Sequence, residues 1–170
     1  MVNLSLSSEE LPVAVLLHNV RSLYNVGAFF RTADAVGLSR LYLAGFTGSP
    51  PSRQLAKTAL GSEETVAWER TDAVTLIESL RGAEWEIAAV ETTPEAVDLF
   101  DWKPKFPALV IFGHEVDGLP TALLERCNTH VRIPMLGAKR SLNVATAGGV
   151  VLYELLRKHR ERLRHPITNL

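Results

Sequence analysis

The sequence predicts an α/β domain with a mostly parallel sheet that is flanked by helices, and three observations support this fold class. Short apolar runs alternate along the chain with stretches of helical periodicity, which is the order that builds parallel sheets. The apolar runs are unbroken and partly β-branched, as expected for strands that are covered on both faces. A chain of 170 residues, of which 46% are hydrophobic and 22% charged, is long enough for one sizeable core.

Strands and helices are assigned along the chain from these patterns. Five apolar runs are predicted as strands: VAVLL (13–17), LYLAG (41–45), EIAAVE (86–91), ALVIFG (108–113) and THVRIP (129–134). Helices are predicted over 25–36, 52–58, 72–81, 119–126 and from 141 to about 163. Because no repeat, low-complexity tract or linker divides the chain, we expect a single domain over residues 1–170, with a basic C-terminal tail over 157–170.

The first predicted helix carries clear local signals. Asn25 can cap its N-terminus, and Gly37 stands where a left-handed residue would end it. The helical spacing places four apolar residues on one buried face: Val26, Phe29, Phe30 and Ala33. Arg31 lies on another face, one turn after Gly27, so its guanidinium extends over a patch almost free of side chains. A backbone segment or a phosphate could approach closely there.

The last predicted helix, in SLNVATAGGVVLYELLRKHR (141–160), is apolar on nearly every side. Ser141 can cap it, but capping by Ser141 does not explain Asn143 or the small residues ATAGG that follow, which would let another backbone pack closely. The terminal run RKHRERLR (157–164) has five Lys or Arg residues and one Glu. These cations could meet phosphates, or they could form a solvated helix end that suits the C-terminal dipole.

Composition excludes several classes of protein. The net charge of −1 argues neither for nor against nucleic acid. The single Cys127 cannot form an internal disulfide, which fits a reducing cytoplasm. No apolar run approaches about 20 residues, and the start MVNLSLSSEELP lacks the charged-then-apolar order of a signal peptide, so we expect no membrane segment. No spacing of His, Cys, Asp and Glu matches a metal site, and no metal is expected.

Two stretches that each leave a strand could carry chemistry. In HNVRSLYNVGAFFRTADAVG (18–37), free N–H groups at the helix start and Arg31 one turn inside suit a phosphate or a polarised hydroxyl. Alternatively, Arg31 is an ordinary surface charge paired with Asp34 or with a distant carboxylate. In VIFGHEVDGLP (110–120), two glycines around Glu115 indicate a tight loop at the sheet edge where ligands bind, or else a plain strand-to-helix turn. Neither stretch contains the dinucleotide fingerprint GxGxxG, which disfavours a nucleotide-dependent doubly wound enzyme.

Three segments together resemble the SpoU (TrmH-like) branch of the SPOUT methyltransferases. NVGAFFRTA (25–33) is similar to the first motif of the family, FGHEVDGL (112–119) to the second and IPMLGAKRSLNVATA (133–147) to the third. They stand in the family's order, and the resemblance spans residues 13 to about 158. It implies transfer of a methyl group from S-adenosylmethionine to a ribose 2′-hydroxyl of RNA, a C-terminal trefoil knot and a homodimer in which the last helix packs.

The resemblance also implies roles for individual residues. The catalytic positions of the family match Asn25, Arg31, Glu115, Ser141 and Asn143. The positions that bind S-adenosylmethionine match Val90, Gly113, Gly118, Ile133, Met135 and Leu142. The family proposal is that Arg31 activates the 2′-hydroxyl directly. Because a guanidinium stays protonated in nearly all settings, we prefer that Arg31 holds a neighbouring phosphate and stabilises alkoxide charge, and both possibilities stay open.

The expected partner is RNA, without a separate RNA-binding domain to hold it. Recognition would then come from a catalytic dimer, its basic tail and four scattered cations: Arg21, Arg53, Lys57 and Arg140. Short chains of this kind resemble the tRNA-modifying members, so tRNA is favoured over rRNA. The alternative is a non-catalytic RNA-binding module that has kept the fold.

Overall fold

A computed structural model describes residues 10–164 of the chain. Their seven strands form one sheet in the order β3-β2-β1-β6-β4-β7-β5. The strands are β1 (Leu11–His18), β2 (Leu38–Ala44), β3 (Trp68–Arg70), β4 (Glu86–Val90), β5 (Val97–Asp98), β6 (Ala108–Phe112) and β7 (Thr129–Arg132). Every pairing between these strands is parallel, which confirms the predicted α/β sheet.

Helices cover both faces of the sheet. They are α1 (Leu23–Val36), α2 (Arg53–Ala59), α3 (Ser62–Thr65), α4 (Ala73–Gly82), α5 (Thr121–Leu124) and α6 (Val144–Arg164). On one face, α1, α2 and α6 bury a cluster that contains Phe29, Phe30 and Leu152. On the other face, α4 packs Leu76 and Ile77 against the sheet. Parallel strands that are buried in this way account for the unbroken apolar runs in the sequence.

All five predicted strands are confirmed, but β3 and β5 were not predicted. Both lie at the ends of the strand order, and they contain three and two residues respectively. Their sequences, WER and VD, are too short and too polar to form an apolar run. Only pairing with β2 and β7 makes them strands, and pairing cannot be deduced from a local pattern.

The predicted starts of two helices were wrong: α1 was expected to begin at residue 25 and α6 at residue 141. Helix α1 begins at Leu23, and Ser22 caps it by accepting a hydrogen bond from the backbone N–H of Asn25, which therefore lies inside the first turn. Helix α6 begins at Val144 rather than at residue 141. Its capping side chain is Asn143, whose Oδ1 accepts the N–H groups of Ala145 and Thr146.

Other expectations for these two helices hold. Gly37 ends α1 in the left-handed conformation, with φ of 66°. The predicted buried face of α1 is buried throughout. Residues 157–164 of the predicted tail form the last turns of α6, and residues 165–170 lie outside the described residues. No helix within residues 10–164 is long and apolar enough to cross a membrane.

Two glycines let the helices on this face approach each other closely. A Cβ at Gly27 would lie 2.3 Å from the backbone oxygen of Leu55 in α2, so the bare patch on α1 is met by a backbone, as the sequence suggested. A Cβ at Gly148 would lie 2.3 Å from the ring of Phe29, so α6 sits tightly on α1. Larger side chains at these positions would push the helices apart.

Candidate active site

The carboxyl ends of β4, β6 and β7 meet at one edge of the sheet and enclose a cavity of about 260 Å³. All six residues that the resemblance assigned to S-adenosylmethionine line this cavity: Val90, Gly113, Gly118, Ile133, Met135 and Leu142. Glu115 and Ser141 line it as well. The structure therefore brings the second and third motif segments together at the edge where open α/β sheets bind their ligands.

The loop over residues 113–118, between β6 and α5, forms one wall of the cavity. His114 and Gly118 exchange two backbone hydrogen bonds, of 3.2 and 3.0 Å, which close the loop on itself. A Cβ at Gly113 would lie 2.5 Å from the backbone of Gly118, and Gly118 itself has φ of +68°. Glu91 fastens the end of the loop by accepting the N–H of Leu119 at 3.1 Å. Both glycines are thus required by the backbone path.

Glu115 binds the loop to the start of α1. Its carboxylate accepts hydrogen bonds from the backbone N–H groups of Arg21 and Ser22 and from the amide of Asn25, each at 2.9 Å. Burial alone would raise the pKa of Glu115, but these hydrogen bonds outweigh it and lower the pKa from 4.5 to about 2. Glu115 is therefore ionised at neutral pH and acts as an acceptor rather than as a proton donor.

Asn25 extends this network to the third motif. While its amide nitrogen donates to Glu115, its Oδ1 accepts a hydrogen bond of 3.1 Å from Nδ2 of Asn143. Asn143 in turn caps α6 through its own Oδ1. A continuous chain of hydrogen bonds thus joins one residue from each of the three motif segments, next to the cavity.

Arg31 does not line this cavity within a single chain. It lies on the exposed side of α1, in a shallow depression that also contains Ala28, Lys57 and Tyr153. Asp34, its partner in the alternative interpretation, instead accepts a hydrogen bond of 2.9 Å from the hydroxyl of Thr65. The structure therefore brings together four of the five predicted catalytic residues and leaves Arg31 apart.

Several residues of the site were not predicted. Glu91 and Arg140 line the cavity without having been assigned to it, and the backbone N–H groups of Arg21 and Ser22 hold Glu115. The available signal for Glu91 was its place directly after a buried strand, at the ligand-binding edge. Backbone donors carry no signal in residue type. Among residues 10–164, no group of three or more His, Cys, Asp or Glu is arranged to hold a metal ion.

Comparison with known proteins identifies the class to which this fold and site belong. The model of the SpoU rRNA Methylase family matches residues 12–153, and the chain belongs to this family. The chain is 32% identical over 155 residues to the 23S rRNA (guanosine-2′-O-)-methyltransferase RlmB of Vibrio parahaemolyticus, covering 90% of the chain and 62% of that relative. It thus spans about three fifths of that protein's length.

Solved structures share the fold. The Aquifex aeolicus TrmH/SpoU tRNA modifying enzyme superposes with a TM-score of 0.82 at 28% identity, over 91% of this chain and 78% of that one. An AdoMet-bound rRNA methyltransferase from Sinorhizobium meliloti superposes with a TM-score of 0.80 at 30% identity, over 87% of this chain and 60% of that one.

Proposed function

We propose that the chain transfers a methyl group from S-adenosylmethionine to a ribose 2′-hydroxyl of RNA. The observation that carries the proposal is the hydrogen-bonded chain Glu115–Asn25–Asn143, which joins the three motif segments beside a cavity lined by all six expected cofactor residues. Relatives in the family are named as methyltransferases of this type, and one solved structure is described as AdoMet-bound.

The cavity suits the proposed cofactor. Val90, Ile133 and Leu142 offer apolar side chains for a purine ring, while the glycine loop offers a backbone that can be approached closely. When bound, S-adenosylmethionine supplies an electrophilic methyl group. The chain's own residues must then position the ribose hydroxyl and help its proton to leave. Ser141, at the exposed mouth of the cavity, and Asn143 beside it would face the ribose.

A homodimer would complete the site with Arg31. Arg31 lies beside the exposed side chain of Tyr153 on α6, and Val150 is exposed one turn before Tyr153. An apolar strip of this kind on a helix suits burial against a second copy, and that copy would offer its own Arg31 to the cavity of the first. In this arrangement Arg31 of the partner subunit holds a phosphate and stabilises the developing alkoxide charge.

We further propose a trefoil knot near the C-terminus. The support is topological: β7 is inserted between β4 and β5, and α6 then returns across the connection from β5 to β6. Lys158 of α6 donates to the backbone oxygens of Leu99, Phe100 and Trp102 in that connection, and His159 packs on the ring of Phe106.

The location of the protein in the cytoplasm stays a prediction that is based on the single cysteine of the chain.

The preferred substrate is tRNA, with rRNA as the second choice. The solved Aquifex aeolicus structure, of which this chain covers 78%, is described as a tRNA modifying enzyme. The test is mass spectrometry of nucleosides from separated tRNA and rRNA of cells with and without the gene. A 2′-O-methylated nucleoside that disappears only from tRNA supports the proposal, and one that disappears only from rRNA changes the substrate.

A non-catalytic RNA-binding module is the competing function. It would have no need for S-adenosylmethionine, whereas the proposed enzyme must bind it in the 260 Å³ cavity. Calorimetric titration of the purified chain with S-adenosylmethionine separates the two. Binding that is lost in Leu142→Glu, which places a charge on the apolar wall, supports the enzyme, and no binding to the wild type refutes it.

A further inference from the structure

Phe46 is a large apolar side chain that the fold holds out in solvent. It follows the carboxyl end of β2, and 61% of its surface is exposed. Single exposed apolar residues are common and need no explanation by themselves. Phe46 differs because the backbone that carries it, residues 45–48 (the Phe46 loop), is fixed from several directions.

The Phe46 loop is pinned on both sides of the aromatic residue. The guanidinium of Arg70 donates to the backbone oxygens of Gly45 and Thr47, at 2.9 and 2.8 Å. The side chain of Asn19 accepts the N–H of Phe46 itself at 3.0 Å. Thr47 is fully buried, and its hydroxyl donates to the backbone oxygen of Leu17. The ring is thus presented on a rigid support, which lowers the entropy lost when something stacks on it.

The Phe46 loop stands next to the candidate active site. The ring of Phe46 packs edge-on against that of His114, with 5.9 Å between centroids. His114 lines the cofactor cavity and also a second cavity of about 400 Å³. The second cavity shares the wall His114–Val116 with the first and is lined further by Arg21, Asn25 and Gln54. Phe46 lines neither cavity itself, but its ring packs against His114 in the wall that the two cavities share, next to the space where a substrate would lie beside the methyl donor.

The surroundings of Phe46 favour a nucleobase over a protein partner. The neighbouring cavity is lined by Leu23, Tyr24 and Val116 as well as by Arg21, Asn25 and Gln54, so it mixes apolar with polar groups. A nucleobase combines a flat face that stacks on aromatic rings with polar edges and an attached phosphate. The side chains of Arg21 and Gln54 match those edges and that charge, whereas the carboxamide of Asn25 is already bonded to Glu115 and Asn143.

We propose that Phe46 is a stacking platform for an unpaired nucleobase of the substrate RNA, next to the ribose that is methylated. This inference rests on the proposed function and assigns it a substrate-binding residue outside the three motif segments. Because the stack forms in the ground state and persists in the transition state, Phe46 contributes to RNA binding and leaves the chemical step unchanged.

Methyl transfer to total RNA from cells lacking the gene tests the role in binding. Phe46→Ala is expected to raise the apparent KM for RNA about 5- to 100-fold with kcat within about 2-fold of wild type, and Phe46→Tyr to restore it. Phe46→Leu, which is apolar but cannot stack, should behave as Phe46→Ala. The matched control is Phe100→Ala, since Phe100 is 57% exposed on the β5–β6 connection and lines neither cavity. An unchanged KM in Phe46→Ala, or rescue by leucine, overturns the proposal.

A fluorescence measurement tests stacking without requiring any methyl transfer. Phe46→Trp adds an exposed indole to the three tryptophans of the chain. A single-stranded oligoadenylate should quench this added emission, and an abasic oligomer of the same length and charge should not. Equal quenching by both, or by neither, contradicts stacking on bases.

Two controls keep the outcomes distinct. If the wild type methylates no RNA, the proposed function fails, while the fluorescence comparison still decides whether Phe46 stacks on bases. If the wild type methylates RNA and Phe46→Ala equals it, only the stacking proposal fails. Sedimentation of Phe46→Ala should match that of the wild type, and a loss of association would instead place Phe46 in a contact between two copies.

Discussion

At the scale of single residues, Asn143 shows how one carboxamide serves both the fold and the site. Its oxygen caps α6, and its nitrogen donates to Asn25, so the same side chain starts the last helix and ties it to the first. The sequence could not separate the two uses, because Ser141 is an equally good cap residue two positions earlier. Serine has one short hydroxyl for both tasks, whereas asparagine has a separate amide nitrogen that donates to Asn25 while its oxygen caps α6.

Substituting serine for Asn143 tests the capping of α6 separately from the hydrogen bond to Asn25. Asn143→Ser keeps a capping oxygen, so the free energy of unfolding should stay within about 0.5 kcal/mol of wild type. Asn143→Ala should lose about 1 kcal/mol. Both variants lose the bond to Asn25 and should lose most methyl transfer. Denaturant unfolding and transfer assays measure the two effects, and full activity in Asn143→Ser would show that the tie is dispensable.

The proposed role of Arg31 in methyl transfer requires its guanidinium group. Arg31→Ala and Arg31→Lys should both lose most methyl transfer while calorimetry shows unchanged binding of S-adenosylmethionine, because the proposed partner of Arg31 is an RNA phosphate and not the cofactor. Lysine keeps the charge but not the two-pronged guanidinium that a phosphate accepts. Near-normal turnover in the lysine variant would count against the phosphate-holding role.

At the scale of elements, the long patterns and the starts of α2 and α4 were predictable, but the starts of α1 and α6 were not. The buried face of α1 followed from its spacing, but Ser22 and Asn25 are both good cap residues three positions apart, and only Glu115 decides between them by binding Asn25 from another segment. The edge strands β3 and β5 depend on their neighbours in the same way. What the local sequence lacks in each case is the identity of a distant partner.

The start of α1 should respond to acid through Glu115. The folded pKa of about 2 lies below the ordinary 4.5, so the stabilisation is complete above pH 4.5 and is lost as the pH falls toward 2. We expect Glu115→Gln to lower the melting temperature at pH 6 and to differ progressively less from wild type between pH 4.5 and 2.5. Glu78→Gln, at an exposed position of α4, is the control. A difference that stays constant with pH would contradict this assignment.

At the scale of the whole molecule, the parallel sheet explains why the three motif segments approach one edge. They follow β1, β6 and β7, and the carboxyl ends of parallel strands lie at the same edge. The sequence indicated that edge, because each segment leaves a predicted strand, but it did not give the strand order that makes the segments neighbours. The separation of Arg31 from the cavity was not predictable, because it depends on how α2 and α6 pack around α1. In the proposed enzyme, Arg31 reaches the cavity only from a second copy of the chain.

Hybrid dimers test whether the second copy supplies Arg31. Arg31→Ala and Leu142→Glu should each be inactive as homodimers, and a doubly tagged hybrid should recover roughly half of wild-type transfer, since one of its two sites combines intact parts. A hybrid without activity would mean that Arg31 acts on the cavity of its own chain. Exchange of subunits is checked by the tags recovered after the assay.

The bond between Asn25 and Asn143 joins positions 118 residues apart. During synthesis the N-terminal part emerges first, so the carboxamide oxygen of Asn25 in α1 lacks its partner until α6 has emerged and packed on α1. In the proposed enzyme, the groups that face RNA are therefore arranged only after α6 is in place, and competence to modify RNA arrives late.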